Sequence, residues 1–231
     1  MRRALIVAHG QPSDPAVAAG ELDDLEARVA AHLPGWQLGA ATLAQPGRLA
    51  AEAAGAPGVV FPLFMAGGWF TRTHIPQRLL DAGANGWQML EPFGCLPAVH
   101  DLTVQIAREA GAGRVLLAAH GSFKSPVPSA IAAHVSGRIA AEVGVPTAAA
   151  FIDQTPQLET ATGYGADAVC LPFFAMAGGH VTADIPVALA KAGFAGRILP
   201  PVGLDPRVPA LIAAAILAGQ QICSGACRWS P

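Results

Sequence analysis

The chain has 231 residues, 52% of them hydrophobic and only 13% charged, enough apolar matter for one large domain or two small ones. A formal net charge of -2 without any basic block argues against a nucleic-acid binder, which needs clustered Lys and Arg to neutralise phosphates. No run reaches the ~18 apolar residues that a membrane span requires.

The first apolar run, "ALIVAHGQ" (Ala4 to Gln11), is unbroken rather than alternating. That pattern suits a strand covered on both faces, as in a parallel sheet. Its polar turn comes too soon for a secretory leader, and a cytoplasmic location is expected. "AAGELDDLEARVAAHL" then reads as a helix, and "VVFPLFMAGG" as a strand entering a glycine loop. From Val115 the same phrases return. "VLLAAHGS" repeats the first run and "AVCLPFFAMAGG" repeats "VVFPLFMAGG". "DIP" ending at Pro186 repeats "HIP" ending at Pro76, and "ILPPVGLDPRV" repeats "MLEPFGCLPAV". Four blocks recurring in one order at an offset of about 110 residues mark an internal duplication. Its seam lies near "EAGAG", so the expected lobes are 1–112 and 113–231.

Within the second copy the order is strand "VLLAA", helix "PSAIAAHVSGRIAAEVG", strand "TAAAFI", helix "PQLETATGYG", strand "AVCLPFF", helix "IPVALAKAG", strand "GRILPPVG" and a last helix from about Pro206. This alternation predicts an α/β protein of two similar lobes, each with a four-stranded parallel sheet flanked by helices.

Ligands of such sheets bind beyond the carboxyl ends of the strands. In the second copy three groups belong there. His120 ends the first strand, Asp153 follows the second, and His180 lies on the glycine loop after the third. Imidazole nitrogen and carboxylate oxygen suit divalent first-row metals, and the same groups take up protons near neutral pH. His120, His180 and Asp153 are therefore the expected metal ligands, with Glu159 as the fallback acid. Gly178 and Gly179 permit a tight turn and the close approach of a flat ligand. Gly121 and Ser122 offer backbone N–H groups and a hydroxyl to an anion, and Lys124 is a candidate carboxylate contact. Neither a phosphate-binding loop nor a dinucleotide fingerprint is present. His32, His100 and His134 read as ordinary helix positions. Cys223 and Cys227, in "CSGAC", have no partner pair and form a weak metal signal.

"LLAAHGS", "FID…P…LE" and "LPFFAMAGGHVTADIP" together resemble the CbiX/SirB group of class II tetrapyrrole chelatases, once per half of the chain. The resemblance implies two α/β lobes facing a cleft. It also implies insertion of Co2+ or Fe2+, as metal substrate rather than tight cofactor, into sirohydrochlorin on the route to cobalamin or sirohaem. The group's motif histidines map to His120 and His180, and its carboxylate to Asp153, where the group more often has Glu. In the first half His9 keeps the "HG" position. Trp69 is read as standing where the second copy has His180, and Ala44 or Gln45 near the acid position. The resemblance makes His120, His180 and His9 the candidate catalytic groups, with His9 as proton acceptor or carboxylate contact. Trp69 either stacks on the macrocycle or belongs to the core. Because sirohydrochlorin carries many carboxylates, Arg72, Lys124, Arg197 and Arg207 are expected to steer it. Expected partners are the tetrapyrrole and the ion, with the protein a monomer or homodimer. A metal- or tetrapyrrole-carrying protein is the alternative. A hydrolase lacks its nucleophile elbow here.

Overall fold

The computed structural model describes residues 1–225 and 227–230. It separates into two compact units, one of Met1–Cys95 with Pro206–Cys227, the other of Leu96–Asp205 with Arg228–Pro231.

In the first unit the opening apolar run forms β1 (Arg2–Ala8), the buried inner strand of a parallel sheet. On one side lies β2 (Trp36–Thr42). On the other lie β3 (Val59–Pro62) and the short β4 (Gln88–Met89), giving the order β2-β1-β3-β4. Helix α1 (Pro15–Ala30) starts where Asp14 accepts a hydrogen bond from the Val17 N–H at 3.4 Å, with Pro15 inside the first turn, a position where its missing N–H costs nothing. Ala19, Leu22, Leu25 and Val29 recur at helical spacing and form its buried stripe. Helices α2 (Arg48–Ala53) and α3 (Ile75–Asp81) close a core of Leu5, Val7, Leu49, Val60, Ile75 and Leu79. The free edge of β4 is blunted by the chain's own tail, where Ile222 N–H donates to Met89 O at 3.1 Å. Covering an edge in this way removes a template for unwanted strand pairing.

The second unit opens with α4 (Pro97–Glu109) and then repeats the pattern. Its sheet runs β6-β5-β7-β8, all parallel, from β5 (Arg114–Ala119), β6 (Thr147–Phe151), β7 (Ala168–Pro172) and β8 (Arg197–Ile198). Helices α5 (Val127–Val143) and α6 (Ile185–Lys191) flank it. The duplicated α/β architecture with a four-stranded parallel sheet in each half is thus as expected. One element differs. "PQLETATGYG" is not a helix but a single tight turn, Leu158–Thr160, followed by chain without regular secondary structure. Gly163 sits at φ 80 and its carbonyl accepts from Arg114 Nη1 at 2.9 Å. The two glycines and two threonines of the stretch disfavour a helix, and that hydrogen bond uses a backbone group a helix would need.

The repeat seam divides the sequence copies, whereas packing divides the chain elsewhere. The last helix of the chain, α7 (Val208–Ala218), packs on α1 in the first unit. Its equivalent after the first copy, α4, packs on α5 in the second. Asp101 of α4 accepts from Arg138 of α5 at 2.6 Å. The copies have exchanged their final helices.

Candidate active site

His120 emerges directly after β5, and its carbonyl accepts from Asp153 N–H at 2.9 Å, bringing the ends of β5 and β6 together. Gly121 turns the chain away at φ +74, where an added Cβ would meet Gln154 Cβ at 2.8 Å. Only glycine meets both demands. The Gly121 carbonyl lies 3.0 Å from His120 Nδ1. A carbonyl can only accept, so Nδ1 carries a proton, and in the neutral ring Nε2 is the nitrogen with the lone pair. Asp153 Oδ2 stands 3.7 Å from that Nε2. This is too long for a hydrogen bond. It falls within the roughly 3–4 Å that separates two donors each about 2.1 Å from a shared ion.

His180 begins a widened helical turn, His180–Asp184, that runs into α6. Ile185 N–H reaches back five residues to His180 O. Pro186 explains the widening: it has no N–H to give Thr182 O, and its ring would collide with that carbonyl in a regular helix. The turn carries His180 and Asp184 on one side, with Nδ1 and Oδ2 2.7 Å apart. A carboxylate also only accepts, so Nδ1 carries a proton, and in the neutral ring Nε2 is the nitrogen with the lone pair. The two imidazoles lie edge to face, centroids 4.7 Å apart at 85°. The side chains of His120, Asp153, His180 and Asp184 are 43%, 44%, 47% and 53% exposed, open to a ligand from solvent. Among the described residues no three His, Cys, Asp or Glu side chains make a ready-formed metal cluster.

Other expected residues stand as follows. Ser122 N–H donates to Gln154 Oε1 at 3.0 Å, and Ser122 Oγ accepts from Lys124 N–H at 3.1 Å. These bonds hold the loop in place. Gly178 O accepts from Val181 and Thr182 N–H and so anchors the turn of His180. Glu159 pairs with Lys191 at 3.0 Å on the rim of a pocket of about 260 Å³ that Asp184 also lines. Arg72 Nη1 donates to Gly225 O at 2.6 Å, and Arg197 Nη2 donates to Ala110 O at 2.9 Å. His100 and His134 both face the ring of Trp229. None of the four cysteines is in a disulfide among the described residues. Cys170 is buried, which pushes its thiol pKa up to about 12, while Cys223 and Cys227 are half-buried.

The strand registers correct the matching of the halves. Ala8 pairs Thr42 as Ala119 pairs Phe151, and Val7 pairs Pro62 as Ala118 pairs Pro172. Ala44 therefore corresponds to Asp153. From Pro62 to Pro76 and from Pro172 to Pro186 the lengths are equal, so Phe70, not Trp69, corresponds to His180. Trp69 corresponds to Gly179, and His74 to Asp184. Matching the glycine pairs of "MAGGW" and "MAGGH" slips the frame by one residue. The geometry agrees: His9 and Phe70 lie 4.8 Å apart at 85°, reproducing the imidazole pair. His9 Nδ1 donates to Gly10 O at 2.9 Å, as His120 does to Gly121. Trp69 is 60% exposed and is no core residue. The sequence reading overlooked Asp184, although a histidine followed four residues later by an acid was visible in "HVTAD".

A family model described as CbiX matches residues 114–218. A solved structure of CbiX, described as the terminal enzyme for biosynthesis of sirohaem in denitrifying bacteria, is 43% identical, with a TM-score of 0.88 over 95% of this chain and 100% of that one. SirB from Bacillus subtilis with Fe3+ is 16% identical, with a TM-score of 0.69 over 95% of this chain and 96% of that one. The sirohydrochlorin chelatase SirB from Bacillus subtilis subspecies spizizenii, in complex with cobalt, is 15% identical, with a TM-score of 0.65 over 95% and 94%. These two share the fold. No curated protein matches the chain. Identity of 43% along the whole length of a CbiX reaches past shape to common descent, and the chain belongs to the CbiX/SirB-type sirohydrochlorin chelatases.

Proposed function

We propose that this chain inserts a divalent ion, Co2+ or Fe2+, into sirohydrochlorin, with His120 and His180 as the groups that receive the ion. The observation that carries the reading is the imidazole pair, 4.7 Å between centroids, with each Nδ1 tied to an acceptor and each Nε2 left with its lone pair. Two such nitrogens can replace two waters of a hydrated ion, and Asp153 adds an oxygen and a negative charge. Three protein donors leave positions open for pyrrole nitrogens. Each insertion exchanges two pyrrole protons for one M2+. Once the ion has moved on, a vacated Nε2 can take a proton, and His9 is our candidate for a further acceptor. Imidazole and carboxylate accept either ion, so metal supply can set the choice between the cobalamin and sirohaem routes. Cysteines outside disulfides suit a reducing compartment, and we assign the reaction to the cytoplasm.

Anaerobic incubation with sirohydrochlorin and Co2+ or Fe2+, followed by the pigment's absorption, tests the reading. At least one ion should be inserted faster than without protein, over many turnovers. Binding without turnover would make the chain a carrier instead.

Asp184 is a positioning residue for His180. Asp184→Asn should lower kcat/KM by about 10- to 100-fold, the usual effect of losing the partner that orients a metal-binding histidine. The KM for metal should rise while that for tetrapyrrole stays. Equal rises in both would mean that Asp184 shapes the loop rather than the imidazole.

A further inference from the structure

The first unit keeps the frame of the metal site and replaces its chemistry. Phe70 stands where His180 stands and Ala44 where Asp153 stands, so one nitrogen donor and one carboxylate are gone. Five rings form a continuous group instead. Phe64 and Phe70 stack at 5.8 Å, and Phe70 meets His9 at 4.8 Å and Trp69 at 5.0 Å, both edge-on. Trp69 lies nearly parallel to His74, centroids 4.7 Å apart at 24°. Where Gly179 and Asp184 stand in the second unit, the first thus carries an indole backed by an imidazole. An indole left 60% open to water and already held by a neighbouring ring loses little freedom when a second flat surface covers it.

We propose that Trp69, stacked on His74 and buttressed by Phe70, is a ring-binding surface that covers a flat face of the tetrapyrrole. This rests on the chelatase reading, which supplies a large planar conjugated substrate. The surface is apolar and aromatic, and Phe70 and Ala44 offer nothing to an ion.

The test is equilibrium binding of metal-free sirohydrochlorin to wild type, Trp69→Ala and Trp69→Phe, with KM measured separately for pigment and ion. Trp69→Ala should weaken pigment binding and raise the pigment KM by about tenfold, a stacking contact plus its lost area, and leave the metal KM where it was. Trp69→Phe should retain most of the affinity. The indole is exposed, so the variants should melt with the wild type. Equal pigment binding by wild type and Trp69→Ala overturns this inference alone. A change in oligomeric state without a change in pigment binding also overturns it, since the patch would then face another copy. If the wild type itself binds no sirohydrochlorin, the chelatase reading falls and the inference with it.

Discussion

His180→Ala should lower the rate of metal insertion by about 10²- to 10⁴-fold, the range seen when a group that moves protons is lost, with a further loss from the missing nitrogen donor. The side chain is 47% exposed, and its ring lies 6.5 Å, centroid to centroid, from that of the core residue Phe174. Exposed substitutions of this kind change stability by about 0.5 kcal/mol or less, which moves the melting midpoint of a chain this size by about 2 °C or less. His180→Phe sharpens the experiment, because it copies Phe70 of the first unit. Ring and edge-to-face packing against His120 are kept, while the Nε2 lone pair and the Nδ1 hydrogen bond to Asp184 both go. It should be as inert as the alanine variant. Stopped-flow absorption of the pigment beside a thermal melt separates loss of chemistry from loss of fold. A His180→Phe protein that inserts metal at the wild-type rate would place the ion elsewhere.

Gly203→Ala should destabilise the second unit and disable the site together. Gly203 N–H donates to Phe174 O at 2.9 Å, docking the segment after β8 on the loop that leads to His180. A Cβ at this position would lie 1.9 Å from Ala175 O and 2.3 Å from its carbonyl carbon. Both atoms are backbone, so no side chain can swing aside. Forced overpacking costs about 1–3 kcal/mol, which is about 3–10 °C in the melting midpoint of a chain this size. Relief requires the 174–176 backbone to retreat, and His180 follows it. Gly178→Ala is the control: an added Cβ there meets nothing within 4 Å, and its midpoint should stay within about 2 °C of the wild type. Matching midpoints for Gly203→Ala and wild type would show that the segment yields without cost.

The strands of both sheets were legible because buried parallel strands are unbroken apolar runs bounded by glycine turns, as "VLLAAHG" and "AVCLP" are. The meeting of His120 with His180 followed from topology alone, since β5 and β7 are neighbours. Local details were harder to read. Nothing in the spacing of "AGGW" and "AGGH" reveals a slipped frame, because the true anchor is the pairing of Pro62 with Val7 and of Pro172 with Ala118. "PQLETATGYG" has one leucine, one acid and one alanine that suit a helix, but the hydrogen bond from Arg114 to Gly163 comes from a residue far away in sequence. Asp184 hides inside the "DIP" motif until the turn brings it back to His180.

The exchange of final helices governs how the chain can be made. The strands of the first sheet leave the ribosome long before α7, the helix that covers α1, has been synthesised. Until then an apolar flank waits uncovered, and the early half is an unfinished body. Scission at the duplication seam would hand each fragment its sibling's lid and deny it its own. Each unit thus completes its fold with a helix that the other sequence copy encodes.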